Sequence, residues 1–212
     1  VKKIHLHEGY LSSPLTHDLA LLELSTPVAS SKANWIPWQT NTKLPLDGTE
    51  IKTAGWGSTV AGEATKETIL REAQGSILFN PGTNRCGLWS TFDASQWLCV
   101  GGEEKIGSCL GDGGGPVTTG SVLPVLQGVI AWGPDGDCAS TRLPNVAVRV
   151  STYDDWLTQR VGSSWKKAEG ITWFNHAIKN LQVGHEYIFY VTANDELGRR
   201  SESVAVKVTI KD

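Results

Sequence analysis

"GSCLGDGGGPV", residues 107–117, sets one carboxylate and one cysteine among glycines and closes with proline. Glycine frees the backbone for turns closed to other residues and lets main-chain N–H groups approach a ligand closely. So much freedom around the single carboxylate of Asp112 raises the question of what is meant to sit at the next position. The stretch has the form of a catalytic turn without its reactive side chain, because the residue after Asp112 is Gly113.

Outward from this loop the chain is made of short apolar or β-branched runs: "LALLEL", "EIKTAGW", "REAQGSILF", "WLCVGG", "VLPVLQGVIAW" and "NVAVRV". Glycine, proline, asparagine and aspartate separate them, a spacing that predicts an all-β barrel or sandwich. One helix is expected in "STYDDWLTQRV", with Ser151 or Thr152 as its cap. Asp154 and Asp155 would sit at its positive end, and Trp156 and Leu157 would be buried. After Val161 the polar, glycine-flanked "GSSWKKAEG" reads as a linker, and a boundary near residue 162 divides the chain into 1–162 and 163–212. Beyond it two alternating strands are expected. Tyr187, Phe189 and Val191 line one face of the first, and Val204, Val206 and Val208 one face of the second, with "NDELGRRS" as the turn.

The chain has 212 residues, 40% of them hydrophobic and 19% charged, a globular composition. Its net charge of −3 gives no reason to expect nucleic acid or an anionic membrane as partner. No apolar run approaches the roughly 18 residues that span a bilayer, since Pro124, Gln127 and Gly128 break the longest candidate. No methionine occurs, so a processed chain, or a segment of a longer one, is expected. Four cysteines are present, Cys86, Cys99, Cys109 and Cys138, with no C-x-x-C pair and no histidine at ligand spacing, so neither a metal nor a cofactor is expected. They allow three pairings; local pairing would staple two loops, and the alternative is four free thiols in a cytosolic protein. Of the nine tryptophans, Trp35, Trp38, Trp89, Trp97, Trp165 and Trp173 read as packing residues.

Several motifs share one resemblance. "CLGDGGGPV" is similar to the nucleophile loop, G-D-S-G-G-P, of the trypsin and chymotrypsin family of serine proteases. "THDLALLEL" resembles that family's strand carrying the catalytic aspartate, a role that falls on Asp18. "TAGWGST", "GVIAWG" and "LPNVAVRVSTYDDWL" resemble, in the family's order, the turn opening the second barrel, the substrate-pairing strand, and the closing strand with its helix. The resemblance covers residues 1–160. It implies a chymotrypsin-like second β-barrel, a remnant of the first and a C-terminal helix. It also implies disulfides Cys86–Cys99 and Cys109–Cys138, and hence an extracellular setting. Gly111 and residue 113 would donate the oxyanion hydrogens, Asp112 would receive an activation ammonium, and Gly107, Ala131, Trp132, Gly133 and Asn145 would border the substrate cleft.

The departures from the family bear on function. Hydrolysis by this route needs a serine oxygen, a histidine to take its proton and an aspartate to orient that histidine. Here the serine position is Gly113, and only His5, His7 and His17 precede Asp18, without an A-A-H-C motif. His5 and His7 alternate with Ile4 and Leu6, which reads as the solvent-facing side of a strand. Val1 leads into "KKI" rather than an I-V-G-G terminus, and most of the first barrel is expected to be absent. Gly107 places no charge at the pocket base. Asn145 stands where the family has glycine, so the pocket is either filled or reshaped and small. The tail, "LQVGHEYIFYVTANDELGRRSESVAVKV", resembles the last half of a fibronectin type III domain through Leu181, Gly184, Tyr187, Val191, Ala193, Gly198 and Ser201. The expectation is a catalytically dead protease homologue that binds a protein or peptide. The alternatives are an active endopeptidase seen as a Ser→Gly variant, its histidine on a separate N-terminal piece, and an adhesion or carbohydrate-associated module working through the tail.

Overall fold

A computed structural model of the protein describes residues 1–29, 35–78, 86, 92–101, 106–120, 124–134, 138, 144–161, 167–168, 186–191 and 204–209. Strand β1 (Lys3–Leu6) pairs antiparallel with β4 (Ala20–Glu23), and the short strands β2 (Leu11–Ser12) and β3 (Leu15–Thr16) form a hairpin between them. In this ribbon the expected facing of the histidines is reversed. His5 and His7 are half-buried, whereas Ile4 and Leu6 are 58% and 64% exposed. Alternation fixes only that two faces differ. The covered face here is the imidazole face, because Tyr153 and Trp156 lie against His7.

Six strands close the barrel: β6 (Glu50–Gly55), β7 (Arg71–Ile77), β8 (Trp97–Gly101), β9 (Pro116–Thr119), β10 (Val125–Trp132) and β11 (Asn145–Arg149). Their order is β11-β8-β7-β6-β9-β10, and an antiparallel β10–β11 pairing completes the circuit. Strand β5 (Trp38–Gln39) runs parallel to β10, and β12 (Lys167–Ala168) runs parallel to β5.

The sequence of β8, "WLCVG", has no polar face because both of its faces are covered. Leu98 and Val100 join Ile51, Ile77, Val117, Ile130 and Ala147, a cluster fed by all six strands and therefore inside the barrel. Trp97 and Cys99 join Val146, Val148, Trp38, Tyr153, Trp156 and Leu157 on the outside, where Leu15, Leu19 and Leu21 of the N-terminal ribbon also pack. Full burial of each aliphatic side chain is worth roughly 1.5–3 kcal/mol, so the outer cluster binds ribbon, barrel and helix together. Trp35, expected to pack, is instead 53% exposed; Trp89, Trp165 and Trp173 lie outside the described residues.

The C-terminal helix α1 (Asp154–Val161) follows a 3-10 turn over Val150–Tyr153 and buries Trp156 and Leu157. The expected cap is not formed. Ser151 and Thr152 lie inside the 3-10 turn, where Thr152 Oγ1 donates to the Ser95 carbonyl and Ser151 is buried. Because the chain enters α1 from a coiled turn, neither hydroxyl is placed to accept from its first amides. Asp154 instead accepts from Trp38 Nε1 at 2.8 Å.

The two expected disulfides are formed, Cys86–Cys99 with Cα atoms 5.7 Å apart and Cys109–Cys138 with 4.9 Å. The chain divides into two compact units, Val1–Ile171 and Thr172–Asp212. Within the second, β13 (Glu186–Val191) pairs antiparallel with β14 (Val204–Thr209), placing Tyr187, Phe189 and Val191 opposite Val208, Val206 and Val204. The expected turn "NDELGRRS" lies outside the described residues. Among those described, no helix is long and apolar enough to cross a membrane.

Candidate functional site

The glycine loop is pinned by its one carboxylate. Asp112 Oδ1 accepts from the Gly57 amide at 2.8 Å and Oδ2 from the Cys109 amide at 2.9 Å. Gly57 is required because any Cβ there would come within 2.6 Å of both carboxylate oxygens. Gly111 is required by its φ of +96°, a left-handed turn that L side chains rarely adopt. The two carboxylate-to-amide bonds fix the turn. No ion pair reaches Asp112 among the described residues, so its partners here are main-chain donors.

Gly113 differs from its neighbours. Its φ lies outside the left-handed region, and a Cβ built on it meets nothing within 4 Å. The backbone would accept a side chain; the sequence supplies none. Gly114 N–H donates to Ile130 O at 2.8 Å and Gly115 N–H to Asp112 O at 2.8 Å. Gly111 N–H and Gly113 N–H, the two donors the resemblance assigns to an oxyanion, have no acceptor among the described residues.

Two cavities flank the loop. The smaller, about 260 Å³, is lined by Gly111, Gly113, Ala131, Trp132, Gly133 and Asn145 with others. The larger, about 630 Å³, is lined by Asp112, Gly107, Gly57 and Arg71 among others. The structure therefore brings together most of the cleft residues expected from the sequence but sends Gly107 to the other cavity. Asn145 lines the smaller one. It is 8% exposed, and its Nδ2 donates to the Ser108 carbonyl at 2.7 Å and to Ser108 Oγ at 2.6 Å. A Cβ on Gly133 would lie 2.0 Å from Asn145 Oδ1, so the amide spans the pocket from Ser108 to Gly133. This puts a polar side chain on the border of the smaller cavity. Ser108 was not singled out in the sequence; its only signal is its place before Cys109.

Asp18 lines neither cavity. It sits in a tight turn in which Leu19 N–H donates to the His17 carbonyl at 2.7 Å and His17 has a φ of +52°. Burial pushes its carboxyl above the usual range. Burial, with the charges of Asp93 and Asp18, also pushes the Tyr153 phenol up to about 12. Among the described residues none of His5, His7 and His17 is hydrogen-bonded to Asp18, and His17 Nδ1 is buried without a hydrogen-bond partner. His5 faces Glu23 at 3.7 Å. His7 and His17 stack on each other with ring centres 4.6 Å apart, and the Gly9 amide donates to His7 Nδ1 at 3.0 Å. Burial first, and then the neighbouring His17, hold His7 below the ordinary imidazole value. Beside them Trp156 Nε1 donates to Glu8 at 2.8 Å, and Arg160 pairs with Glu8 while lying 4.1 Å over the Trp156 ring. This cluster clamps the ribbon to α1. Among the described residues no group of three or more His, Cys, Asp or Glu could hold a metal ion.

Comparison with known proteins gives a consistent result. A family model described as Trypsin matches residues 1–157. Kallikrein-12 of Homo sapiens is 33% identical over 158 residues, 71% of this chain and 59% of that protein. The inactive CLIP domain-containing serine protease A3 of Aedes aegypti is 30% identical over 173 residues, 76% of this chain and 35% of that protein. The chain thus spans less than two thirds of either relative. In fold it is similar to neuropsin, a serine protease expressed in the limbic system of mouse brain, with a TM-score of 0.66. That likeness covers 76% of this chain and 70% of the other at 22% identity.

Proposed function

Because this chain belongs to the trypsin family of serine proteases, we propose that it is a member that binds a protein or peptide without cleaving it. The observation that carries this reading is Gly113. The loop keeps the turn, the pinned carboxylate and both main-chain donors, yet the position facing the donors bears hydrogen alone. Without an oxygen there no acyl-enzyme forms. In the subtilisin example, loss of the nucleophile alone lowers turnover about a million-fold. Among the described residues no histidine is hydrogen-bonded to Asp18, so none of them is placed there as its general base. Asn145 adds to the case by flooring the pocket that would take a cleavable side chain. A relative that carries "inactive" in its name supports the same direction. The two disulfides favour an oxidising, extracellular setting.

A specific observation favours a second reading, the active endopeptidase whose serine is replaced at this position. The site at Gly113 is open enough for serine without a clash. The experiment that separates the two is a peptide-cleavage assay on the Gly113→Ser chain, alone and with a full-length first barrel from a trypsin-family protein added as a separate piece. The binding reading expects background rates in both. Hydrolysis abolished by a fluorophosphonate would move the assignment to the second reading.

A further inference from the structure

The Gly113 loop offers more than the loss of a nucleophile, because the empty space adjoins two unengaged donors. Gly111 N–H and Gly113 N–H have no acceptor among the described residues, and both residues line the 260 Å³ cavity. The volume where a side chain at Gly113 would stand is free to 4 Å. A peptide carbonyl in mid-chain offers these donors one oxygen and leaves that volume unfilled. A carboxylate offers a second oxygen to fill it, and charge-assisted bonds from main-chain amides are shorter and stronger than neutral ones. Capture of a C-terminal carboxylate in a backbone nest is a recurring mode of peptide recognition.

The surrounding charge permits it. Among the described residues that line the smaller cavity there is no Asp, Glu, Lys or Arg. The nearest carboxylate in sequence, Asp112, has both oxygens on amides and lines the other cavity. Asn145 is one of the polar side chains beside this loop. Fixed on Ser108 and lying against Gly133, it takes up part of the cavity. Trp132, held edge-to-face by Trp97 at 4.3 Å, gives the residues before it an apolar wall.

We propose that the loop around Gly113 is a receptor for the free C-terminal carboxylate of a peptide. The proposal rests on the non-cleaving reading above and names the ligand chemistry of that same site.

The test titrates the full chain by calorimetry with acetyl-Ala-Ala-Ala-Ala as free acid and as C-terminal amide, with mass spectrometry of the recovered peptides. The free acid is expected to bind at least about tenfold tighter than the amide, a difference of about 1.4 kcal/mol. Gly113→Ser, whose hydroxyl takes the second oxygen's place, is expected to erase most of that preference. Acid and amide binding equally would overturn the carboxylate assignment and leave the non-cleaving reading standing. Binding of neither would overturn this assignment and the use of the cleft for peptides together. Cleavage of either peptide would overturn the non-cleaving reading itself.

Discussion

Replacing Asn145 by alanine tests whether the pocket floor is a real bridge. The substitution removes two buried hydrogen bonds, to the carbonyl and the hydroxyl of Ser108, at 2.7 and 2.6 Å. A net hydrogen bond is worth about 0.5–1.5 kcal/mol, and a buried group left without a partner costs about 1–3 kcal/mol. The Ser108 groups border a cavity of about 260 Å³ that can admit water, so the lower part of that range applies and the expected loss is about 1–2 kcal/mol. For a chain of this size that is a fall in Tm of about 2–8 °C, readable by circular dichroism or urea denaturation. Ser108→Ala removes one acceptor of the two and is expected to lose about half as much. The double variant is expected to lose less than the sum of the singles, by 0.5 kcal/mol or more in order of magnitude, because both report on one contact. Strict additivity, with Asn145→Ala inside about 0.5 kcal/mol of the parent, would refute the bridge and the floored pocket with it.

Three more outcomes follow from the same geometry. Gly113→Ser, at an open site with ordinary backbone dihedrals, is expected to leave stability unchanged or raise it by up to about 1 kcal/mol through the unfolded chain's lost freedom; a clear drop in Tm would show that the space is not there. His7 is held below the ordinary imidazole value, so below about pH 6.5 the unfolded chain takes up the proton more readily than the folded one. Stability is then full at neutral pH and falls as pH drops through that value, and His7→Phe should flatten a denaturation profile between pH 5 and 8; an unchanged slope would refute the buried neutral ring. Asp18 has its carboxyl raised by burial, so its charge opposes folding at neutral pH, and Asp18→Asn should melt at the same temperature or higher; a large loss would reveal a partner holding the carboxylate.

Much of the fold could be read from the chain because the signals are local. "EIKTAGW", "WLCVGG" and "NVAVRV" fall on β6, β8 and β11. Strand β9 was not foreseen; it opens on Pro116 and is four residues long, a pattern that reads as the end of the glycine loop. The facing of His5 and His7 could not be settled by alternation, since which side is covered depends on Tyr153 and Trp156, nearly 150 positions away. The same limit applies to the site. Gly113 and Asn145 stood out as departures at single positions. What Asn145 does, and that Asp112 leans on the Gly57 amide 55 residues upstream, are long-range facts that no local pattern carries. The cap misassignment has a different cause: a serine and a threonine before two aspartates look alike whether the chain enters the helix extended or through a 3-10 turn.

The central claim is that a cleft able to cradle a carbonyl cannot attack it without an atom at 113. Its most direct measurement is intact-mass spectrometry of the purified chain after prolonged exposure to a fluorophosphonate and, separately, to a mixed peptide library. The account predicts an unmodified mass and an intact library. A stoichiometric adduct in the cleft, or inhibitor-sensitive cleavage, would contradict it.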